Sequence, residues 1–137
     1  TTLFRSARQA FETAGMRLVA SRSSWTIEQA HEITGNLLKQ NPDLRGIYCT
    51  SDLMALGVIR YLADQGIRQV KVAGFDGIAQ ARAALASNQM VATIDQRPAE
   101  QGYLSVKAAL DAIAGKPVTG QIKVETELLT RTSVRQP

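Results

Sequence analysis

Val70-Lys71-Val72-Ala73-Gly74-Phe75-Asp76-Gly77 is the stretch that decides how this chain folds. A short run of strand formers meets a glycine, then an aromatic, a carboxylate and a second glycine. Such a run, bounded by glycines, reads as a short strand followed by a loop. In an open α/β sheet, ligands sit just beyond the carboxyl ends of parallel strands. Phe75 and Asp76 would stand at such an end. An aromatic face beside an acceptor-only carboxylate suits a sugar ring. The ring's C–H face packs on the aromatic, and its hydroxyls donate to the two oxygens. The same letters also spell a strand closed by an Asp-Gly turn with no ligand role.

The flanking sequence alternates in kind. Ala7–Gly15 reads as a helix closed by glycine. Arg17–Ala20 reads as a short strand. Thr26–Gln40 carries Ile27, Ala30, Ile33, Leu37 and Leu38 at helical spacing, with Thr26 as its cap and Asn41-Pro42 as its stop. Gly46–Cys49 is a strand, and Asp52–Gln65 a helix capped near Ser51 or Asp52 and closed by Gly66. After the strand Val70–Ala73 come a helix over Ile78–Ala86 and a strand over Val91–Ile94. Pro98–Ala114 is a long helix with proline in its first turn, and Ile122–Leu129 is extended. Strands alternating with helices predict an α/β fold, a mostly parallel open sheet with helices on both faces.

Bulk composition sets outer limits. The 137 residues have the size of one domain, with 45% hydrophobic and 20% charged residues, ordinary for a globular protein. No apolar run is long enough to span a bilayer, and no signal peptide is visible at the start. The net charge of +4 comes from scattered Lys and Arg, which reads as a solvated surface rather than a nucleic-acid footprint. One cysteine, Cys49, excludes an internal disulfide, and its apolar setting predicts a buried thiol. His31 is the only histidine and lies mid-helix without the Cys or His partners a metal site needs.

The loops after the strands belong on one rim. They carry Ser21–Trp25, Thr50-Ser51-Asp52, Gly74–Gly77 and Asp95-Gln96-Arg97. That rim gathers two aromatics, carboxylates, an amide and arginines. Trp25, the only tryptophan, would line the rim by stacking or staple the start of the following helix. No nucleophile–base pair stands out, and there is no glycine-rich phosphate loop, so no catalytic residue, metal or cofactor is expected.

These motifs, in this order, resemble type I periplasmic sugar-binding proteins. Asn41–Gly57, running Asn-Pro-Asp through Thr-Ser-Asp-Leu-Met-Ala-Leu-Gly, is similar to their "NPD…A…ND.MALGA" stretch. Val72–Gly77 is similar to "VVGFDG", and Ala92–Pro98 with Gln101-Gly102-Tyr103 to "ATIAQ.P…G". The likeness runs from about Ala7 almost to the end. It is strongest to the ribose- and galactoside-type binding proteins of ABC importers. The effector domains of lac-repressor-type regulators share the fold and part of the pattern.

The resemblance implies a flavodoxin-like lobe and a set of site residues. Trp25 falls where the family places an aromatic against the sugar. Asp76 matches the carboxylate that takes sugar hydroxyls, Phe75 the residue beside it, and Gln96 the amide at the hinge strand. Ser51 falls where most members have Asn; it offers one hydroxyl in place of an amide. Asp52 matches the family acid, a helix cap as much as a ligand contact. The implied role is a non-enzymatic solute-binding lobe for a monosaccharide, located outside the cytoplasm and working with a membrane permease. An effector lobe of a regulator is the alternative, and would need a DNA-binding segment upstream. A stand-alone signalling or enzyme domain would need a phosphoacceptor cluster or phosphate loop. The resemblance also divides the chain. Residues 7–97 match the C-terminal of two lobes, 98–114 the helix that packs on the other lobe, and 115–137 the terminal strand and tail. Leu104, Ala108 and Ile113 would lack their usual cover. Leu3 and Ser6 stand where the family has an Arg and then a Gly, and residues 1–6 are expected to be a non-native leader.

Overall fold

The computed structural model of the protein describes residues 2–19, 25–118 and 120–135. Five helices and four strands follow one another as α1 (Thr2–Thr13), α2 (Ile27–Gln40), β1 (Gly46–Tyr48), α3 (Asp52–Asp64), β2 (Lys71–Ala73), α4 (Ala79–Ala86), β3 (Ala92–Asp95), α5 (Pro98–Ile113) and β4 (Glu127–Thr130). A 3₁₀ turn at Ser133–Arg135 ends the described chain. The strands form one sheet in the order β1-β2-β3-β4. The first three are parallel, with Ile47 opposite Val72 and Ala73 opposite Ala92. β4 runs antiparallel to β3, with Thr93 opposite Leu129. The expected mostly parallel α/β sheet is therefore present.

Local chemistry explains most boundaries. Thr26 Oγ1 accepts from Gln29 N at 3.1 Å and starts α2, and Asn41 Nδ2 donates to Leu37 O at 3.0 Å and ends it. Ser51 caps α3, its hydroxyl accepting from Met54 N at 3.4 Å. Pro98 opens α5, where a missing N–H costs nothing. Gly57 lets α2 and α3 cross closely, since a Cβ there would lie 2.3 Å from Ile27 O. The core joins Val58 and Leu62 of α3, Val70 and Val72 at β2, Ala81, Ala84 and Leu85 of α4, Met90 and Leu129. Cys49 is buried with them, and burial followed by the charge of Asp52 pushes its thiol up to about 12. His31 bridges the helices: its Nε2 lies 3.0 Å from Asp64 Oδ2, and its ring meets Tyr61 edge-on at 5.1 Å.

Four sequence expectations need correction. The helix expected from Ala7 begins at Thr2, and Leu3, Phe4, Ala7 and Phe11 fall on one side of it. Arg8 lies over the Phe4 ring at 5.3 Å, a pairing that extends α1 toward its start. Arg17–Val19 form no strand, and Ala20 lies outside the described residues. They and Gly46–Tyr48 line one apolar cavity of about 360 Å³, and among the described residues the ladder partner of Gly46–Tyr48 is Lys71–Ala73. Ile78 lies before α4 rather than in it, its backbone extended at ψ 160°. The extended segment expected from Ile122 pairs only at Glu127–Thr130; the residues before it, Ile122 and Val124 among them, join no ladder and are largely exposed.

The long helix α5 buries no residue. Tyr103, Val106, Leu110 and Ile113 are exposed, Ile113 to 83%. Leu104 and Ala108 fare differently from Ile113: they are half-buried and share a groove with Val118, Ile122 and Val124. The tail thus covers part of the helix that was expected to lie bare.

Candidate ligand-binding site

β2 runs out at Ala73, and the chain turns through Gly74 into Phe75 and Asp76. Asp76 continues the sheet for one residue beyond the strand. It pairs as a parallel bridge with Asp95, and its N–H donates to Ile94 O at 2.9 Å. Its φ is +124°, a region that L-residues rarely occupy. Strained backbone of this kind costs about 1–3 kcal/mol and persists where its surroundings over-determine it. Here Gln96 Nε2 donates to Asp76 Oδ1 at 2.6 Å. The amide and the carboxylate, both half-buried, are thereby fixed edge to edge at the ends of neighbouring strands. The second carboxylate oxygen and the amide oxygen of Gln96 keep acceptor capacity.

Beneath this pair lies a buried polar network. Asp52 is fully buried. Its Oδ2 accepts from Ile78 N at 3.0 Å and its Oδ1 from the Thr93 hydroxyl at 2.7 Å. Thr93 Oγ1 in turn accepts from Gly77 N at 3.3 Å. A Cβ at Gly74 would sit 2.2 Å from Asp52 Oδ1, so only glycine lets the loop pass over the carboxylate. A carboxylate with no exposed surface reaches nothing in the cleft. Asp52, expected at the ligand, is the tie that holds the β1, β2 and β3 ends together.

The other expected residues are placed as follows. Ser51 sits half-buried at the end of β1, its hydroxyl occupied as the cap of α3. Phe75 is half-buried beside Asp76. Trp25 is 83% exposed. It therefore neither staples α2 nor enters the core, and its backbone N–H donates to Gln29 Oε1 at 3.2 Å. The adjoining residues 20–24 of its loop lie outside the described residues.

Three residues escaped the sequence reading. Thr93 hides in a strand as an ordinary β-former. Arg82 sits in α4, where its guanidinium reaches Gly77 O at 3.0 Å and Asp95 Oδ2 at 2.6 Å. The one signal for it is a lone charge in Ala-Gln-Ala-Arg-Ala-Ala-Leu-Ala. Tyr48 ends β1, and its phenol is raised above its usual value, first by burial and then by the nearby acidic groups of Cys49 and Asp76. The 360 Å³ apolar cavity includes Tyr48 but none of Phe75, Asp76 or Gln96, so it is separate from this rim.

The profile of the periplasmic binding protein domain matches residues 3–117. The D-allose-binding periplasmic protein of Escherichia coli K12 is 39% identical over 109 residues, which is 77% of this chain and 35% of that protein. The structure of an ABC transporter periplasmic solute binding protein from Actinobacillus succinogenes 130z, with bound D-allose, superposes with a TM-score of 0.84 at 31% identity. The match covers 88% of this chain and 43% of that one. The HTH-type transcriptional regulator MalR of Clostridium butyricum is 30% identical over 107 residues, 76% of this chain and 31% of the regulator. The chain thus spans 31–43% of the length of these three proteins.

Proposed function

The chain belongs to the periplasmic binding protein domain family, and from that premise we propose that it is a sugar-binding lobe of an ABC importer's solute-binding protein. It holds a monosaccharide without transforming it. The observation that carries this reading is Asp76, held at φ +124° with its carboxylate clamped by Gln96 where two parallel strands end. Strain maintained at the mouth of a sheet is what a preset acceptor requires. The D-allose of the relatives makes an aldose the first ligand to try.

Residues 7–97 form the ligand lobe in this reading, with Phe75, Asp76 and Gln96 facing the sugar and Ser51 and Trp25 flanking it. Residues 98–114 meet a second lobe, and 115–137 return as the terminal strand and tail. Closure of two lobes over the sugar supplies most of its burial. The working location is outside the cytoplasm, beside a membrane permease. The likeness to a transcriptional regulator supports a second reading, an effector lobe, in which the same rim binds a sugar that controls DNA binding.

The test joins the N-terminal part of the Escherichia coli D-allose-binding protein to this chain and titrates D-allose and D-ribose by calorimetry. Binding is expected, and Asp76→Asn should weaken it tenfold to a hundredfold, the worth of about 1.5–3 kcal/mol for a charge-assisted hydrogen bond. A folded hybrid that binds neither sugar, or an unchanged affinity in Asp76→Asn, sinks the assignment.

A further inference from the structure

We propose that Arg82 and Asp95 are a positioning pair that couples the Asp76 loop to the first turn of α5, so that the ligand carboxylate and the direction of that helix are set together. The proposal rests on the reading of Asp76 as the ligand contact.

The connection is continuous in hydrogen bonds. Gly77, next to Asp76, offers its carbonyl to Arg82 Nε at 3.0 Å. The same guanidinium donates through a terminal nitrogen to Asp95 Oδ2 at 2.6 Å. The other oxygen of Asp95 accepts from Arg97 N at 2.7 Å. Arg97 precedes α5 in a left-handed conformation, φ +52°, with no side-chain cap of its own. One planar fork on α4 thus joins the loop after β2 to the turn after β3. A lysine ammonium lacks the fixed two-donor geometry to span both acceptors.

The pair has little to do with the core. Neither residue belongs to the apolar cluster. Asp95 is nonetheless well sheltered, its side chain 16% exposed, so its bonds are less weakened by water than those of a surface pair. Asp95 is also the bridge partner of Asp76. Arg82 therefore holds the residue that the Asp76 backbone bridges to, as well as the carbonyl next to Asp76.

The experiment is amide hydrogen exchange by NMR on the 137-residue chain, its Arg82→Met and Asp95→Ala variants, and the double variant. The reporting amides are Asp76, Gly77 and Arg97, with Val58–Leu62 of α3 as the internal reference. Arg82→Met should speed exchange at all three by about tenfold relative to the reference, the effect of losing one charge-assisted bond. Asp95→Ala should do so too. In the Arg82→Met background, Asp95→Ala should add nothing at Asp76 and Gly77, because the path to them is already cut. Loosening confined to α4, additive effects in the double variant, or a uniform rise that includes Val58–Leu62 would each overturn the coupling. If Arg82→Met does not fold, Arg82→Lys decides: protection kept at one end only supports the fork, and protection kept at both ends overturns it. None of these rates requires sugar, so a failure of the hybrid protein to bind monosaccharide counts against the function and not against the coupling.

Discussion

At Asp76 the backbone pays a conformational cost that a glycine would not. Asp76→Gly and Asp76→Val both remove the carboxylate that Gln96 holds. Their difference therefore isolates the backbone. The valine variant must place a β-branched side chain at φ +124°, a cost of about 1–3 kcal/mol. Glycine adopts that φ freely, at roughly 1 kcal/mol of extra freedom in the unfolded chain. Urea denaturation should find Asp76→Gly within about 1 kcal/mol of the parent and Asp76→Val clearly below both. Equal losses would mean that φ is not a source of strain. Cys49 makes a second prediction at this scale. Burial raises its thiol from 9.0 to about 12. In the unfolded chain the thiol ionises near its ordinary value, while in the folded chain it stays protonated. The unfolded state then binds fewer protons, so stability is full below pH 9 and falls as pH rises from there toward 12. Stability against pH should fall more steeply in the parent than in Cys49→Ala across that window. At pH 8 the native thiol should resist iodoacetamide, because the thiolate is the nucleophile.

Among the elements, the crossing of α2 and α3 depends on Gly57. A Cβ there would meet Ile27 O at 2.3 Å and Ala30 Cβ at 2.7 Å. The first obstacle is backbone and cannot swing aside. Gly57→Ala gains about 1 kcal/mol of helix propensity, yet overpacking at a rigid contact costs about 1–3 kcal/mol or more. A net loss is expected in thermal unfolding, whereas a stabilised variant would show that the helices slide apart cheaply. Elements were legible in the sequence wherever punctuation was chemical. Thr26, Ser51, Asn41-Pro42, Pro98 and Gly66 mark helix ends through their own hydrogen bonds or dihedrals, and those ends fall within a residue of the structure. Arg17–Val19 failed because a strand is defined by its neighbour, and pairing is not written in three residues. The rim residues Asp76 and Gln96 were legible because a strand end is a local signal. The Asp52–Thr93–Gly77 network was not, because it joins positions 41 and 16 residues apart through side chains that look ordinary in sequence. Asp52 was read as a helix cap as much as a ligand contact, and position next to a cap says where a carboxylate begins, not which way it turns.

The molecule as a whole leaves α5 with an uncovered stripe. Tyr103, Val106, Leu110 and Ile113 recur at intervals of three and four and lie on one side of the helix, all exposed. The tail covers Leu104 and Ala108 instead. Between exposed apolar side chains lies Asp111, paired with Lys107 Nζ at 2.5 Å and Lys116 Nζ at 3.5 Å. The bond to Asp111 raises Lys107, and the bond to Lys107 lowers Asp111. Lys107 is exposed and Asp111 half-buried, and a surface pair of this kind adds little stability. A contiguous apolar face is what water penalises. The 137-residue chain by itself should therefore associate as its concentration rises, and analytical ultracentrifugation would read the shift in mass. Salt distinguishes the cause. Association through α5 should hold or strengthen when sodium sulfate is added, since sulfate favours apolar burial. Association through the net charge of +4 binding some acidic impurity should weaken, since salt screens exposed charges. Val106→Glu with Leu110→Lys should return the chain to a monomer with an unchanged far-ultraviolet circular dichroism spectrum. These positions are exposed, so their loss takes nothing from the core. A parent chain that stays monomeric at all concentrations, or a double variant that associates as before, would move the sticky surface away from α5 and remove the physical ground for expecting a second lobe there.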